Sequence, residues 1–143
     1  MKINYDCMRD VLIFLENNLL YNDELTPNEI ELNDLQSAAE VNYSIQDIAY
    51  SSIMLDEAGF VNLHVSSDDG ETIMNIIYSS ITYEGHQYLD KIRSDKVWAK
   101  TKGLLGKIGA ASIDIIAKVA SNIILEMVNQ PNQLLNISVV PSP

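Results

Sequence analysis

Between Ser44 and Ile81 the spacing of apolar residues changes from a helical period to a strand period, and this change constrains the fold more than any other feature of the chain. Within this stretch a serine caps the start of the helix, a glycine follows its end, and an acidic turn with glycine separates the two strands. In chain order it predicts a helix over 45–57, a strand over 60–65, a turn at 68–70, a strand over 71–81 and a helix from 83 towards 98. Helices that alternate with one hairpin in this way are typical of α+β folds.

The segments on either side of this stretch add further helices. Residues 5–20 carry apolar side chains at helical spacing, residues 30–32 alternate like a short strand, and residues 33–41 fit a short helix. A helix-turn-helix followed by a two-stranded wing is the layout of a winged helix. We therefore expect a mostly helical α+β fold with a winged-helix-like core and a C-terminal helical extension. The expected parts are a winged-helix-like domain over 1–100, a glycine-rich hinge and apolar helix over 101–130, and an extended or disordered tail over 131–143.

The C-terminal part of the chain predicts a hinge and then a very apolar helix. Glycine recurs at 103, 106 and 109, and each glycine weakens a helix by roughly 1 kcal/mol relative to alanine. Residues 112–128 then carry a single polar stripe and are apolar over the rest of the helix surface. An ordinary surface helix has only one apolar face, so this helix has more apolar surface to bury than usual. We expect this helix either to drive self-association, with a dimer favoured, or to pack back on its own domain. The candidate contact residues are Ile113, Ile116, Val119, Ala120, Ile123, Ile124 and Met127.

Charge is divided unevenly along the chain, whose net charge is −11. Residues 1–90 hold 17 acidic and two basic side chains, whereas residues 91–143 hold seven basic and three acidic ones. An acidic half of this kind either keeps the protein in solution or presents a surface to a protein partner. The candidate acidic partner surface consists of Asp47, Asp56, Glu57, Asp68, Asp69 and Glu71.

The same distribution of charge bears on nucleic-acid binding. A winged helix that reads DNA places its second helix in the major groove and contacts phosphates through cations. The helix predicted over 45–57 holds no Lys or Arg, and the turn from Ser66 to Glu71 is acidic. DNA is therefore a disfavoured partner, although a basic stretch further along keeps it open. The candidate contacts in that stretch are Arg93, Lys96, Lys100 and Lys107, spaced to share one helical face.

Short motifs carry a resemblance to known proteins. The motif L-D-E-A-G-F-V at 55–61 resembles the junction between recognition helix and wing in many winged-helix proteins, and T-Y-E-G-H at 82–86 resembles the segment after the wing. The run T-x-E-G-H-x-x-L-D-x-I-R at 82–93 and the stretch G-A-A-S-I-D-I-I-A-K at 109–118 resemble an uncharacterised family of small proteins common in phages and prophages. This resemblance covers roughly 44–126. It implies a winged-helix-like fold and a phage or prophage origin, and it supplies no activity and no site residues.

Residue types that catalyse reactions or bind metals are few and scattered. Cys7 is the single cysteine and lies in a predicted helix, where a small buried apolar side chain is expected. His64 and His86 are the two histidines and are isolated from each other. The turn at 68–71 lacks the alternating acids and the final Glu of a calcium loop. We therefore expect a non-enzymatic protein without catalytic residues, metal or cofactor.

Several hypotheses about function stay open. The sequence lacks a secretory signal and a run of about 18 apolar residues, so we expect a cytoplasmic protein without integral membrane insertion. The leading hypothesis is a phage-encoded interaction module that presents an acidic winged-helix surface to a protein, for example to inhibit a host nucleic-acid-binding or defence protein. The alternative is a winged-helix transcriptional regulator that binds DNA. A third hypothesis lays residues 91–128 on a membrane surface.

Overall fold

The structure, a computed structural model, describes residues 1–109 and 111–130 of the 143 residues, so the tail predicted over 131–143 lies outside the described residues. Its elements are α1 (Tyr5–Asn18), β1 (Ile30–Glu31), α2 (Leu32–Ser37), α3 (Ile45–Glu57), β2 (Val61–Ser66), β3 (Asn75–Ile81), α4 (Tyr83–Ile92), α5 (Asp95–Ile108) and α6 (Ile113–Asn129). The described chain is mostly helical with one three-stranded antiparallel sheet, which confirms the predicted α+β class. It divides into two compact units, residues 1–89 and the residues from Asp90 onwards.

No helix in the described ranges combines the length and the apolar character needed to cross a bilayer.

The sheet is built around β3, which pairs with β1 on one side and with β2 on the other. Its register places Ile30 opposite Tyr78 and Val61 opposite Ile81. The longest pairing in the sheet is therefore the β2–β3 hairpin predicted from the alternating residues.

The loop of this hairpin is longer than predicted, because β3 begins at Asn75 rather than at residue 71. Asp69 explains the difference. One of its carboxylate oxygens accepts hydrogen bonds from the backbone N–H groups of Thr72 and Glu71, at 2.7 and 2.8 Å. Short side-chain-to-backbone bonds of this kind compete with strand pairing, so residues 71–74 belong to the loop.

The core of the first unit lies where α1 and α3 pack against each other and against the sheet. Its fully buried side chains include Met8, Leu12, Leu15, Ile48, Leu55 and Tyr78. Cys7 is also fully buried, which confirms the prediction for that residue. Burial disfavours the thiolate and raises the pKa of Cys7 to about 11.

The helix predicted from Thr82 towards Trp98 is two helices in the structure. Thr82 caps α4 as predicted, because its Oγ1 accepts a hydrogen bond from the backbone N–H of Gly85 at 3.0 Å. α4 ends at Ile92, and Ser94 caps α5 by accepting a hydrogen bond from the backbone N–H of Val97 at 3.3 Å. The second capping residue marks a break that the helical period alone does not reveal.

The predicted hinge is wrong for Gly103 and Gly106, because both lie inside α5. The side chains that α5 buries recur at helical spacing: Val97, Trp98, Thr101 and Leu105. α5 also packs against α6, and this packing outweighs the roughly 1 kcal/mol that each glycine costs a helix. Only Gly109 ends the helix, in a left-handed conformation with φ of 73°.

Candidate functional site

α3 holds the central part of the predicted partner surface. Ser44 begins the helix by accepting a hydrogen bond from the backbone N–H of Asp47 at 3.1 Å. Ser52 ties it to the sheet, since its hydroxyl lies 2.7 Å from the Tyr78 hydroxyl. The outward face of α3 presents Gln46, Ala49, Tyr50, Ile53, Asp56 and Glu57. None of these side chains is a cation, so the face is apolar in its middle and acidic at its C-terminal end.

A cavity of about 370 Å³ lies against this face, and we call it the α3 groove. α3 contributes Ile45, Gln46, Ala49, Tyr50 and Ile53. The remaining lining residues are Met1, Leu32 in α2 and Ile73 in the β2–β3 loop. No lining side chain is charged. The groove was not predicted, because its walls come from four separate parts of the sequence.

The predicted acidic residues differ in how the structure holds them. The exposed ones are Asp56, Glu57, Asp68, Asp69 and Glu71. Asp47 is half-buried in the first turn of α3. The backbone N–H groups of Thr72 and Glu71 hold the pKa of Asp69 well below its usual range, because they stabilise its charged form. Asp69 therefore shapes the loop, while its exposed acidic neighbours add charge to the surface.

The predicted nucleic-acid contacts do not all lie on one helix. Lys96, Lys100 and Lys107 are exposed and share one face of α5, as their spacing predicts. Arg93 precedes that helix, and its Nη2 donates a hydrogen bond to Asp90 Oδ1 at 2.8 Å. The prediction of one four-residue face is therefore wrong for Arg93, because a new helix begins after it.

The apolar face of α6 is largely internal. Ile116, Ala120 and Ile123 are buried. The other predicted self-association residues are half-buried, namely Ile113, Val119, Ile124 and Met127. α6 packs against α5, so an intramolecular neighbour covers part of this helix. Self-association stays a prediction. The buried side chains could contribute to a contact between two chains only if the second unit opened and exposed them.

The fold also brings together two titratable side chains that the sequence does not connect. Glu16 Oε2 lies 4.0 Å from Nδ1 of His86, at a cavity of about 210 Å³ that Ser79 and Ser80 also line. Ser80 Oγ accepts a hydrogen bond from Asn62 Nδ2 at 2.9 Å. A carboxylate beside an imidazole can form hydrogen bonds to a polar ligand in such a cavity. Within the described residues, however, no hydrogen bond joins a serine hydroxyl to His86, so a nucleophile–base pair is not formed there.

Together these features define a small α+β protein with a cation-free helix face and an apolar groove beside it. The sequence profile of the family described as "Hypothetical protein (DUF2513)" matches residues 2–111. The chain belongs to this family. The predicted resemblance to an uncharacterised family is thereby confirmed at that level, while the phage association and the motif signature stay predictions.

The chain is also similar to an uncharacterised protein of Haemophilus influenzae. The two are 30% identical over 128 residues, which cover 89% of this chain and 98% of the relative. No solved structure matches the chain. These comparisons give no activity that could be carried over to named residues.

Proposed function

We propose that this protein is a non-enzymatic interaction module whose α3 face binds a basic surface of a protein partner. The observation that carries the proposal is that α3 contains no Lys or Arg and exposes Asp56 and Glu57. Affinity for nucleic acid depends on cations that replace phosphate counterions. An acidic face repels phosphates and attracts a basic protein surface, which favours a protein ligand over DNA.

In this proposal the first unit is a winged-helix-like domain. Support comes from the chain order α1, β1, α2, α3, β2 and β3, in which α2 and α3 form the helix pair and β2 and β3 form the wing. The addition of β1 to the wing through β3 also fits. α3 is then the helix that a DNA-reading member would place in the major groove. Asp68 and Glu71 in the wing loop extend the same acidic surface.

The partner that we propose is a cytoplasmic protein that itself binds nucleic acid, because its basic groove would complement the acidic face. A phage or prophage origin would make a host defence or regulatory protein a natural target. Self-association through α6 is a weaker part of the proposal, because Ile116, Ala120 and Ile123 are buried in the single chain.

A second candidate function is DNA binding through α5. The observation that favours it is the exposed face shared by Lys96, Lys100 and Lys107. A protein of this kind would contact phosphates through α5 rather than through α3, and its affinity would fall steeply with salt. The acidic first unit opposes this function, since it repels the same duplex.

The test of the proposed function compares two charge-reversal variants of equal net charge. Asp56→Lys with Glu57→Lys changes the α3 face, and Asp23→Lys with Glu24→Lys changes an exposed loop of the same unit. Lys in the last turn of a helix interacts favourably with the helix dipole, so the α3 variant is expected to fold. Proteins captured from a lysate of the source organism, with and without nuclease treatment, are quantified for the wild type and both variants.

We expect a captured protein that the wild type and the loop variant retain equally. The α3 variant should retain it about tenfold less, as when a central interface contact is lost. Equal retention by the two variants would refute a role for the α3 face. Capture that disappears from every sample after nuclease treatment would favour the DNA-binding function.

A further inference from the structure

We infer that the α3 groove is a docking site for one amphipathic helix of a partner protein, with aliphatic side chains along one face and Lys or Arg beside them. This inference rests on the proposed function and specifies the ligand that the acidic face would take. It depends on three properties of the groove, which are its apolar lining, the helical character of its floor and the charges around it.

The lining requires an occupant that is apolar where it touches the groove. A volume of about 370 Å³ is large enough for several side chains. Ile45 and Ile73 leave 37% and 36% of their surface exposed, and Met74 beside Ile73 leaves 61% exposed. Large apolar side chains gathered at one surface position are typical of protein interaction sites. Burying them against aliphatic anchors would supply the main favourable term of binding.

The helical floor decides which backbone conformation fits. Gln46, Ala49, Tyr50 and Ile53 are spaced three and four residues apart, and they form a ridge along the outward face of α3. The backbone N–H and C=O groups within α3 bond to each other, so the groove floor offers side chains only. An extended peptide would need a strand edge for its backbone, whereas a helix satisfies its own. Apolar anchors at i, i+3, i+4 and i+7 of a partner helix would pack against this ridge.

Charge around the groove specifies the flanks of the occupant. Within two positions of any lining residue the sequence contains one basic side chain, Lys2, and four acidic ones: Glu31, Asp34, Asp47 and Glu71. The α-amino group of Met1 adds a second positive charge, so the acids still outnumber the cations by four to two. Glu31 and Asp34 are partly engaged, because their side chains cap the first turn of α2. Asp56 and Glu57 continue the outward face of α3 beyond the groove. Lys or Arg beside the anchors would therefore be attracted and would speed association.

A second copy of the chain is a poorer occupant than a basic partner. Each copy carries a net charge of −11, so two copies repel each other over distances set by the ionic strength. The basic face of α5 contains only three lysines against the acidic majority of the chain. A partner with a net positive helix meets the same groove without this repulsion.

The test uses a fluorescently labelled synthetic helix with Leu at i, i+3, i+4 and i+7 and Lys on its flanks. One control peptide has the same composition with Leu spread around the helix, and another replaces Lys by Glu. Anisotropy is measured with the full-length wild type, with Ile45→Asp in the groove and with Leu25→Asp on an exposed loop. Ile45 is the first residue of α3, where Asp suits the helix dipole, so the variant is expected to fold.

We expect saturable binding of the one-faced Lys peptide to the wild type and to Leu25→Asp. Binding should weaken by about tenfold or more for Ile45→Asp and for each control peptide. Equal binding of the two Lys peptides, unaffected by Ile45→Asp, would overturn the groove as a helix site and leave the acidic face intact. Failure of the proposed function is recognised separately, by capture that does not depend on Asp56 and Glu57.

Two further outcomes would also overturn the inference. One is the absence of binding by every peptide at low salt. The other is a wild-type dimer in sedimentation that Ile45→Asp dissociates and Leu25→Asp does not, because a second copy would then occupy the groove.

Discussion

Gly85 lies where the first turn of α4 passes close to the backbone at Phe60. A Cβ at this position would overlap the carbonyl oxygen of Phe60 and would lie 2.8 Å from Cγ2 of Ile81. Gly85→Ala should therefore lower the free energy of unfolding by about 1–3 kcal/mol, as overpacking typically does. Urea denaturation measures the change.

Gly103 provides the matched control for this substitution. It lies inside α5, and a Cβ there meets open space. Gly103→Ala should raise the free energy of unfolding by roughly 0.5–1 kcal/mol, because alanine favours a helix more than glycine does. If both substitutions were stabilising, the close approach at Gly85 would be contradicted.

Tyr78 introduces a pH dependence into the core. Its hydroxyl donates to Ser52 Oγ, because the Ser52 hydroxyl gives its own hydrogen to the carbonyl of Ile48 at 2.7 Å. Burial raises the pKa of Tyr78 to about 12, since it disfavours the charged form. The unfolded tyrosine ionises near pH 10, at about its ordinary pKa. The stability that Tyr78 contributes is therefore full below about pH 10 and is lost as the pH rises towards 12.

Tyr78→Phe should separate the stability contributed by the Tyr78 hydrogen bond from the pH dependence caused by ionisation of its hydroxyl. Near neutral pH it should lower the free energy of unfolding by about 1 kcal/mol, because a buried hydrogen bond is lost. Between about pH 10 and pH 12 its stability should fall less than that of the wild type, because the group that titrates is absent. Thermal unfolding near neutral pH and between about pH 10 and pH 12 measures both changes. Tyr21→Phe, at an exposed tyrosine, is the control. Parallel falls for wild type and Tyr78→Phe would contradict the role of Tyr78.

Among the elements, local signals located the start and end of α3 better than they located the start of β3 or the course of α5. α3 spans 45–57 as predicted, because Ser44 caps its start and Gly59 follows its end. β3 starts later than predicted because Asp69 organises the loop before it. α5 runs through Gly103 because packing against α6 compensates for the glycine. The last two outcomes depend on contacts that a local pattern does not contain.

α6 provides a prediction about which of its apolar side chains stabilise the single chain. Ile116 is fully buried, whereas Leu125 leaves 58% of its surface exposed. Ile116→Ala should cost about 2–5 kcal/mol of unfolding free energy, and Leu125→Ala should change it by less than about 0.5 kcal/mol. Chemical denaturation of the two variants checks the difference. Equal destabilisation would contradict the burial of Ile116 and the exposure of Leu125.

At the scale of the whole molecule, the sequence showed how charge is distributed along the chain, but it did not show which side chains come together at the surface. The acidic first part and the basic stretch near α5 follow from counting residues. The α3 groove required the fold, because Met1, Leu32 and Ile73 reach it from distant positions. The pairing of Glu16 with His86 is hidden in the sequence for the same reason. Tertiary structure decides which distant side chains become neighbours, so these features are beyond a local pattern.

The measurement that best separates a protein-binding from a DNA-binding role is the anisotropy of labelled duplex DNA titrated with the protein at low and at moderate salt. We predict no saturable binding even at about 50 mM salt, because the face of α3 lacks cations and the chain carries a net charge of −11. Saturable binding in the micromolar range that weakens with salt, and that Lys96→Glu with Lys100→Glu abolishes, would contradict this prediction and assign the function to α5.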